Sequence, residues 1–198
     1  MYNFMKINEI FYSIQGEGYH TGTPAIFVRF SGCNLKCDFC DTKHTSYKDM
    51  SEDDIVKMVS GYPASLVVIT GGEPSLQLTH TLIEKMHKYG KFVAVETNGT
   101  HKLPYNVDWI TISPKQPFVG DYGKVVLNKA DEVKVVFDVD KPISNPSFGI
   151  LADHYYVQPC DTGSKIKNQE NINFCINFVK NNPLWKISLQ TQKILNVQ

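Results

Sequence analysis

A chain of 198 residues with 42% hydrophobic and 12% aromatic content can bury one substantial core and is too apolar for a disordered or fibrous polypeptide, so a single domain over 1–198 is expected. Twenty basic residues balance twenty acidic ones, leaving no net field to draw nucleic acid or a membrane surface. No stretch approaches the roughly 20 apolar residues of a membrane span, and the opening MYNFMKINEIFY holds no uninterrupted apolar run, so a cytoplasmic protein is expected.

In chain order, AIFVRFSG, SLVVITGG, KFVAVETNG, WITISPK, DEVKVVF, HYYVQPCD and KISLQTQ have the apolar, β-branched character of strands. Between them, SEDDIVKMVSGY, LTHTLIEKMHKYG and NINFCINFVKNN carry helical patterns, and this order predicts an α/β domain with a mainly parallel sheet. Ser51, with Asp54 three residues later, forms a helix N-cap whose buried stripe is Ile55, Met58 and Val59. Gly90 closes the next helix at C′, and Cys175 sits with Ile172, Ile176 and Val179 at helical spacing as a buried structural thiol. The Gly-, Pro- and aromatic-rich stretch from Pro114 to Asn128 lacks periodicity and is expected to be a connecting loop or lid.

The unusual residues fall directly after strands: Thr70-Gly71-Gly72-Glu73-Pro74, Glu96-Thr97-Asn98-Gly99, Ser113-Pro114-Lys115 and Gln158-Pro159-Cys160-Asp161. Loops at the C-terminal edge of a parallel sheet converge over one end of it, so these four segments predict one shared site.

Five cysteines are an odd number, and three of them crowd into SGCNLKCDFCDT, which suits a metal in a reducing compartment better than a disulfide framework. Cys33, Cys37 and Cys40 form C-x3-C-x2-C on a loop after a strand. Three thiolates can ligate three irons of a [4Fe–4S] cluster and leave the fourth iron open. A structural zinc is the alternative, with His44 completing a Cys3His set, although such sites usually draw on two separated ligand pairs.

The cysteine motif, followed after the next strand by Gly71-Gly72-Glu73-Pro74, resembles the radical S-adenosylmethionine superfamily and its GGEP motif. The resemblance implies an incomplete (β/α)6-type barrel, a [4Fe–4S] cluster held by Cys33, Cys37 and Cys40, and S-adenosylmethionine chelated to the open iron. One electron then cleaves the sulfonium to methionine and a 5′-deoxyadenosyl radical. Gly72 is expected to let backbone approach the methionyl amino group, and a helix N-terminus after Pro74 to favour carboxylate.

FYSIQGEG (Phe11 to Gly18), FVRFSGCNL (Phe27 to Leu35), CDT (Cys40 to Thr42), SPK (Ser113 to Lys115), QP.D (Gln158 to Asp161) and SLQTQK (Ser188 to Lys193) further resemble the 7-carboxy-7-deazaguanine synthases. That family contracts the ring of 6-carboxy-5,6,7,8-tetrahydropterin with loss of ammonia, requires Mg²⁺, takes electrons from a donor such as flavodoxin or ferredoxin, serves queuosine biosynthesis and is homodimeric. The resemblance implies that Ile14, Gln15, Gly16, Arg29 and Thr70 surround the pterin, that Thr42 binds Mg²⁺, and that the main-chain carboxylate of Gln198 meets the substrate. Gly72, Ser113, Pro114, Lys115, Gln158, Pro159, Cys160 and Asp161 would surround S-adenosylmethionine. Some members carry an apolar residue in place of Cys160, so its thiol is expected to be dispensable.

Local sequence offers simpler roles. Arg29 could point to solvent from its strand, Thr42 could cap a loop, Glu17 and Gly18 could shape a turn, and Lys115 could be solvated. A glycyl-radical activase and a zinc-dependent binding module remain the alternative functions.

Overall fold

Alternation of side chains along the strands decides the architecture. In the computed structural model, which describes residues 4–40, 42 and 45–198, β1 (Met5–Ile14) pairs antiparallel with β2 (Pro24–Phe30) and with the short β3 (Lys48–Met50). From β2 onward all pairings are parallel, through β4 (Leu66–Gly71), β5 (Phe92–Thr97), β6 (Trp109–Ile112), β7 (Lys129–Phe137), β8 (Leu151–Pro159) and β9 (Trp185–Ile187). The sheet order is β3-β1-β2-β4-β5-β6-β7-β8-β9 and the sheet is not closed.

One face is apolar and carries the helices. Ile26, Val28, Val67, Ile69, Val93 and Val95 pack beneath α1 (Glu52–Ser60) and α2 (His80–Lys88), while Val133, Val135, Phe137 and Val157 pack beneath α4 (Lys165–Asn181). The other face carries a smaller apolar cluster of Ala25, Phe27, Leu66, Val68 and Ala94. Further along the same alternation it becomes polar, with Arg29, Glu96, Glu132 and Lys134. This is the expected half-barrel, with the parallel set extended by β9. The long helices occupy three crossovers, and 98–108 and 138–150 connect their strands without one.

The Ser51–Asp54 capping box forms, and Gly90 sits past α2 with φ +68°. Three local expectations shift. In α1 the stripe is Ile55, Val56 and Val59, and Met58 is 43% exposed, because the helix rotates its Ile55–Val59 line onto the sheet. In α4, Cys175 is fully buried, but Ile176 is exposed and Asn171 takes the inward position, bonding the Val139 N–H and the Cys160 carbonyl at 2.9 Å each. The stretch after Pro114 folds into α3 (Gln116–Val119) and a single 3-10 turn at Gly120–Gly123.

The loop after β1 lies across the inner face and fastens the C-terminal segment. Lys134 Nζ, on a side chain 6% exposed, meets Glu17 Oε2 at 2.6 Å and Glu96 Oε1 at 3.4 Å. Burial pushes the Glu17 carboxyl up, but the Lys134 ammonium and the bonds from Lys134, Gln190 and Gln192 overcome it and hold it near about 2. Gln190 and Gln192 each donate to Glu17 Oε1 at 3.0 Å, Thr191 donates from N and Oγ1 to the Gly16 carbonyl, and Gly18 N–H donates to Ser188 Oγ. Further along, the Tyr19 N–H donates to Glu132, whose carboxyl burial raises to about 7 against the pull of Lys134. The terminal helix α5 (Thr191–Leu195) has no buried residue, so these polar contacts hold it.

Glu17→Gln is therefore expected to cost about 3 kcal/mol at pH 7, in the range for breaking one partner of a buried pair, and to speed amide exchange in α5. Because the native Glu17 pKa is depressed to about 2 from 4.5, its contribution is complete above pH 4.5 and fades as pH falls toward 2. Denaturant titrations at pH 7 and pH 3 should show the wild-type advantage shrinking at the lower pH, and an unchanged gap would refute the assignment.

Candidate active site

The cysteine loop is tied to the glycine-rich strand end by backbone. Gly72 N–H donates to the Phe30 carbonyl at 3.0 Å and Glu73 N–H to the Gly32 carbonyl at 2.9 Å. A Cβ on Gly72 would stand 1.9 Å from the Gly32 oxygen, so the close approach this glycine permits is to the cysteine loop itself. The expected helix after Pro74 is only the 3-10 turn Pro74–Leu76, and Glu73 caps it with its own carboxylate, accepting from Ser75 N–H. That turn is thus satisfied internally and is not a free anion site. The remaining capacity of the buried Glu73 goes to Thr97 Oγ1 and Asn98 N–H, both at 2.7 Å. Asn98 Nδ2 in turn donates to Asn34 Oδ1 at 3.0 Å, beside Cys33. The Glu of GGEP therefore organises the neighbouring strand end and, through it, the cysteine loop.

Cys33, Cys37 and Cys40 are free thiols lining one cavity of about 1530 Å³. Burial pushes the Cys33 and Cys37 thiols up, opposed at Cys33 first by the Leu35 N–H and at Cys37 first by the Lys115 ammonium. Among the described residues, no three His, Cys, Asp or Glu side chains converge on a single ion. One zinc needs its thiolates about 3.8 Å apart, from tetrahedral bonds of about 2.3 Å. A cubane takes one thiolate per iron, and three free thiols lining one cavity are the donor set that a cluster with one open iron requires. His44 lies outside the described residues.

The same cavity is lined by Ile14, Gln15, Gly16, Arg29, Thr42, Thr70, Gly72, Ser113, Lys115, Gln158, Pro159, Cys160, Asp161 and Gln198. Of the residues singled out in the sequence, Pro114 does not line it and is buried. Arg29 faces this interior and not solvent, donating from Nε to Glu9 Oε1 at 2.8 Å and approaching Thr42 Oγ1 with Nη1 at 3.5 Å. Lys115 is half-buried, bonds Ser113 Oγ and stands 5.8 Å over the Phe39 ring, and burial lowers its ammonium pKa. Cys160 is buried, and its thiol is pushed up to about 11, by burial first and then by Asp138 and Asp161. Asp161 is held near about 2, first by Lys193, whose Nζ stands at 2.6 Å, and then by Gly163 N–H and Asn168.

Sequence reasoning put Glu96 in one of the polar strand ends of the shared site without giving it a role, and it missed Lys134. Glu96 accepts from Gln15 Nε2 at 3.1 Å, from Thr70 Oγ1 at 3.3 Å and from Lys134, so one carboxylate orders three neighbours on the inner face. The available signal was a charged residue at an inward position of an otherwise apolar strand, as in FVAVET and DEVKVVF.

Residues 27–118 match the radical SAM superfamily. The chain is 48% identical to a 7-carboxy-7-deazaguanine synthase from Bacteroides thetaiotaomicron over 98% of both chains. It is 38% identical to the protein of that name from Haemophilus influenzae, over 98% of this chain and 94% of that one. The crystal structure of QueE from Escherichia coli matches with a TM-score of 0.73 at 27% identity, covering 94% of each chain. Identity of this level across nearly the whole length, with the cysteine loop, the GGEP strand end and the inner polar face in one cavity, means that the chain belongs to the 7-carboxy-7-deazaguanine synthase family of the radical SAM superfamily.

Proposed function

We propose that the protein converts 6-carboxy-5,6,7,8-tetrahydropterin to 7-carboxy-7-deazaguanine with loss of ammonia, a step of queuosine biosynthesis. The observation carrying this reading is the single cavity that joins the three cysteines to the polar inner face. When bound, the cluster and S-adenosylmethionine supply a radical able to abstract hydrogen from the pterin.

The chain's own residues bind and orient. Gln15, Gly16, Ile14 and Thr70 surround the pterin, with Glu96 holding the Gln15 amide and the Thr70 hydroxyl in fixed directions. Arg29 offers its guanidinium to the substrate carboxylate, a planar match that lysine cannot reproduce. Thr42 supplies one oxygen to Mg²⁺, which suits a hard cation that keeps substrate oxygens and waters in its other positions. Gln198 closes the substrate side through its position on the cavity wall. On the cofactor side stand Gly72, Ser113, Lys115, Gln158, Pro159 and Cys160, with Pro114 fixing the turn from behind. Asp161 contributes there through its backbone, because its carboxylate is engaged by Lys193. A small electron-transfer protein such as flavodoxin or ferredoxin would deliver the electron to a cytoplasmic homodimer. No helix among the described residues is long and apolar enough to cross a membrane.

Alanine at Cys33, Cys37 or Cys40 should each abolish cluster assembly and turnover, whereas Cys160→Ala and Cys175→Ala should retain iron. Iron and sulfide assay of anaerobically purified protein checks this, and full iron content in any of the first three variants sinks the cluster assignment. Thr42→Val should keep the cluster and S-adenosylmethionine cleavage but raise the Mg²⁺ concentration for half-maximal turnover about tenfold, the lower end of what ligand-shell changes cost. A magnesium titration matching wild type would remove Thr42 from the metal. Turnover of the tetrahydropterin, tested against radical formation on a protein partner, separates the synthase from an activase.

A further inference from the structure

We propose that Glu9 is a positioning residue, whose carboxylate holds Arg29 and the Gln198 side chain in the arrangement that receives the substrate carboxylate. The inference rests on the pterin reading above and concerns a residue on which no sequence motif falls.

A β-bulge brings Glu9 to the site. Ile7 pairs with Phe30 and Glu9 with Arg29, so two steps along β1 match one step along β2. Under regular alternation with no bulge at Asn8, Glu9 would share the face of the buried Ile7 beneath the helices, where a carboxylate has no water. The bulge instead turns Glu9 to the inner face beside Arg29, and bulges near active sites commonly re-aim a side chain in this way. Asn8 Nδ2 pins it by donating to the Ser46 carbonyl at 2.7 Å and Ser46 Oγ at 3.0 Å.

Once there, Glu9 uses both oxygens. Oε1 accepts from Arg29 Nε at 2.8 Å and Oε2 accepts from Gln198 Nε2 at 2.7 Å. Fixing Nε fixes the plane of the guanidinium, which stands 5.8 Å from the Phe11 ring and reaches Thr42 with Nη1. One carboxylate thereby sets the direction of the arginine fork and the position of the last residue. Its own negative charge would repel a bound carboxylate, but the side chain is 36% exposed and water screens that repulsion. Loss of the fork's orientation outweighs it, because the bidentate contact depends on geometry.

The test is equilibrium titration of pterins into cluster-loaded protein with S-adenosylmethionine and Mg²⁺ but without reductant, so that binding is read without turnover. Glu9→Ala should weaken binding of 6-carboxytetrahydropterin about tenfold and leave tetrahydropterin lacking the carboxyl within about twofold of wild type. Combined with Arg29→Ala it should add less than it costs alone, since coupled residues are not additive and only the Gln198 contact is left to lose. Glu9→Gln, which keeps the side-chain volume, should shift binding in the same direction by about threefold and stands in if the alanine variant loses iron or folds poorly. Equal weakening of both pterins, additive losses in the double variant, or tighter binding of the carboxylated ligand would each overturn the proposal. Wild-type protein that binds neither pterin would instead overturn the substrate reading, and the inference with it.

Discussion

Lys134 puts an ammonium on the cavity-lining face of an open sheet, and the structure around the site depends on how that charge is met. Burial opposes the charged form, but Glu17, Glu96 and Glu132 together hold the lysine pKa above its ordinary value. Glu17 stands closest, and it comes from the loop after β1, so satisfying Lys134 draws that loop across the inside of the sheet. The other oxygen of Glu17 then accepts from Gln190 and Gln192, which brings in the end of the chain. Buried ion pairs add little net stability compared with well-packed apolar groups, but they tolerate few alternative partners. Here that selectivity fixes two segments that have little apolar surface to fix them otherwise.

The two faces of the sheet divide the work of folding and function. Outward positions are aliphatic and stabilise the fold beneath α1, α2 and α4. Inward positions are apolar toward the start of β2, β4 and β5 and polar beyond Phe27, Val68 and Ala94, where Arg29, Thr70 and Glu96 take over. The polar half opens into the same cavity as the cysteine loop. The Gly72–Gly32 contact keeps that loop against the strand end, and the Glu73–Asn98–Asn34 chain holds it from the side. The cysteine segment is thus set by backbone bonds to the strand end and by the side chains of Glu73, Asn98 and Asn34.

The local expectations that shifted were settled by packing or by a neighbouring group. Met58 and Val56 are equally plausible members of the α1 stripe by spacing, and the choice depends on how the helix sits on Val67 and Ile69. The turn after Pro74 was expected to hold a ligand's carboxylate, but Glu73 lies close enough to supply one from within. Asp161 lines the cavity, and its carboxylate is engaged by Lys193, 32 residues away in the chain. The α1 stripe went to one geometric alternative among several, and the turn after Pro74 to the carboxylate beside it.

The sequence by itself determined the period-2 strands, the capping box at Ser51, the cysteine spacing and the polar strand ends, because each rests on chemistry within a few residues. From these a parallel α/β sheet with one shared site at its strand ends followed, including Thr70, Ser113 and Gln158, whereas the half-barrel and the inward role of Arg29 were implied by the family resemblance. Only the tertiary structure decided that Lys134 belongs to the site, what Glu96 holds there, that Glu17 is a clasp and not merely a turn residue, and that Glu9 reaches Arg29. These roles depend on pairings across as many as 173 and 175 positions, as in Glu17 with Gln190 and Gln192, and on a bulge that reverses the face of every residue after it. A one-residue change of register leaves the hydrophobic pattern of a short strand nearly unaltered while moving a carboxylate from core to cavity, and register is settled by the partner strand.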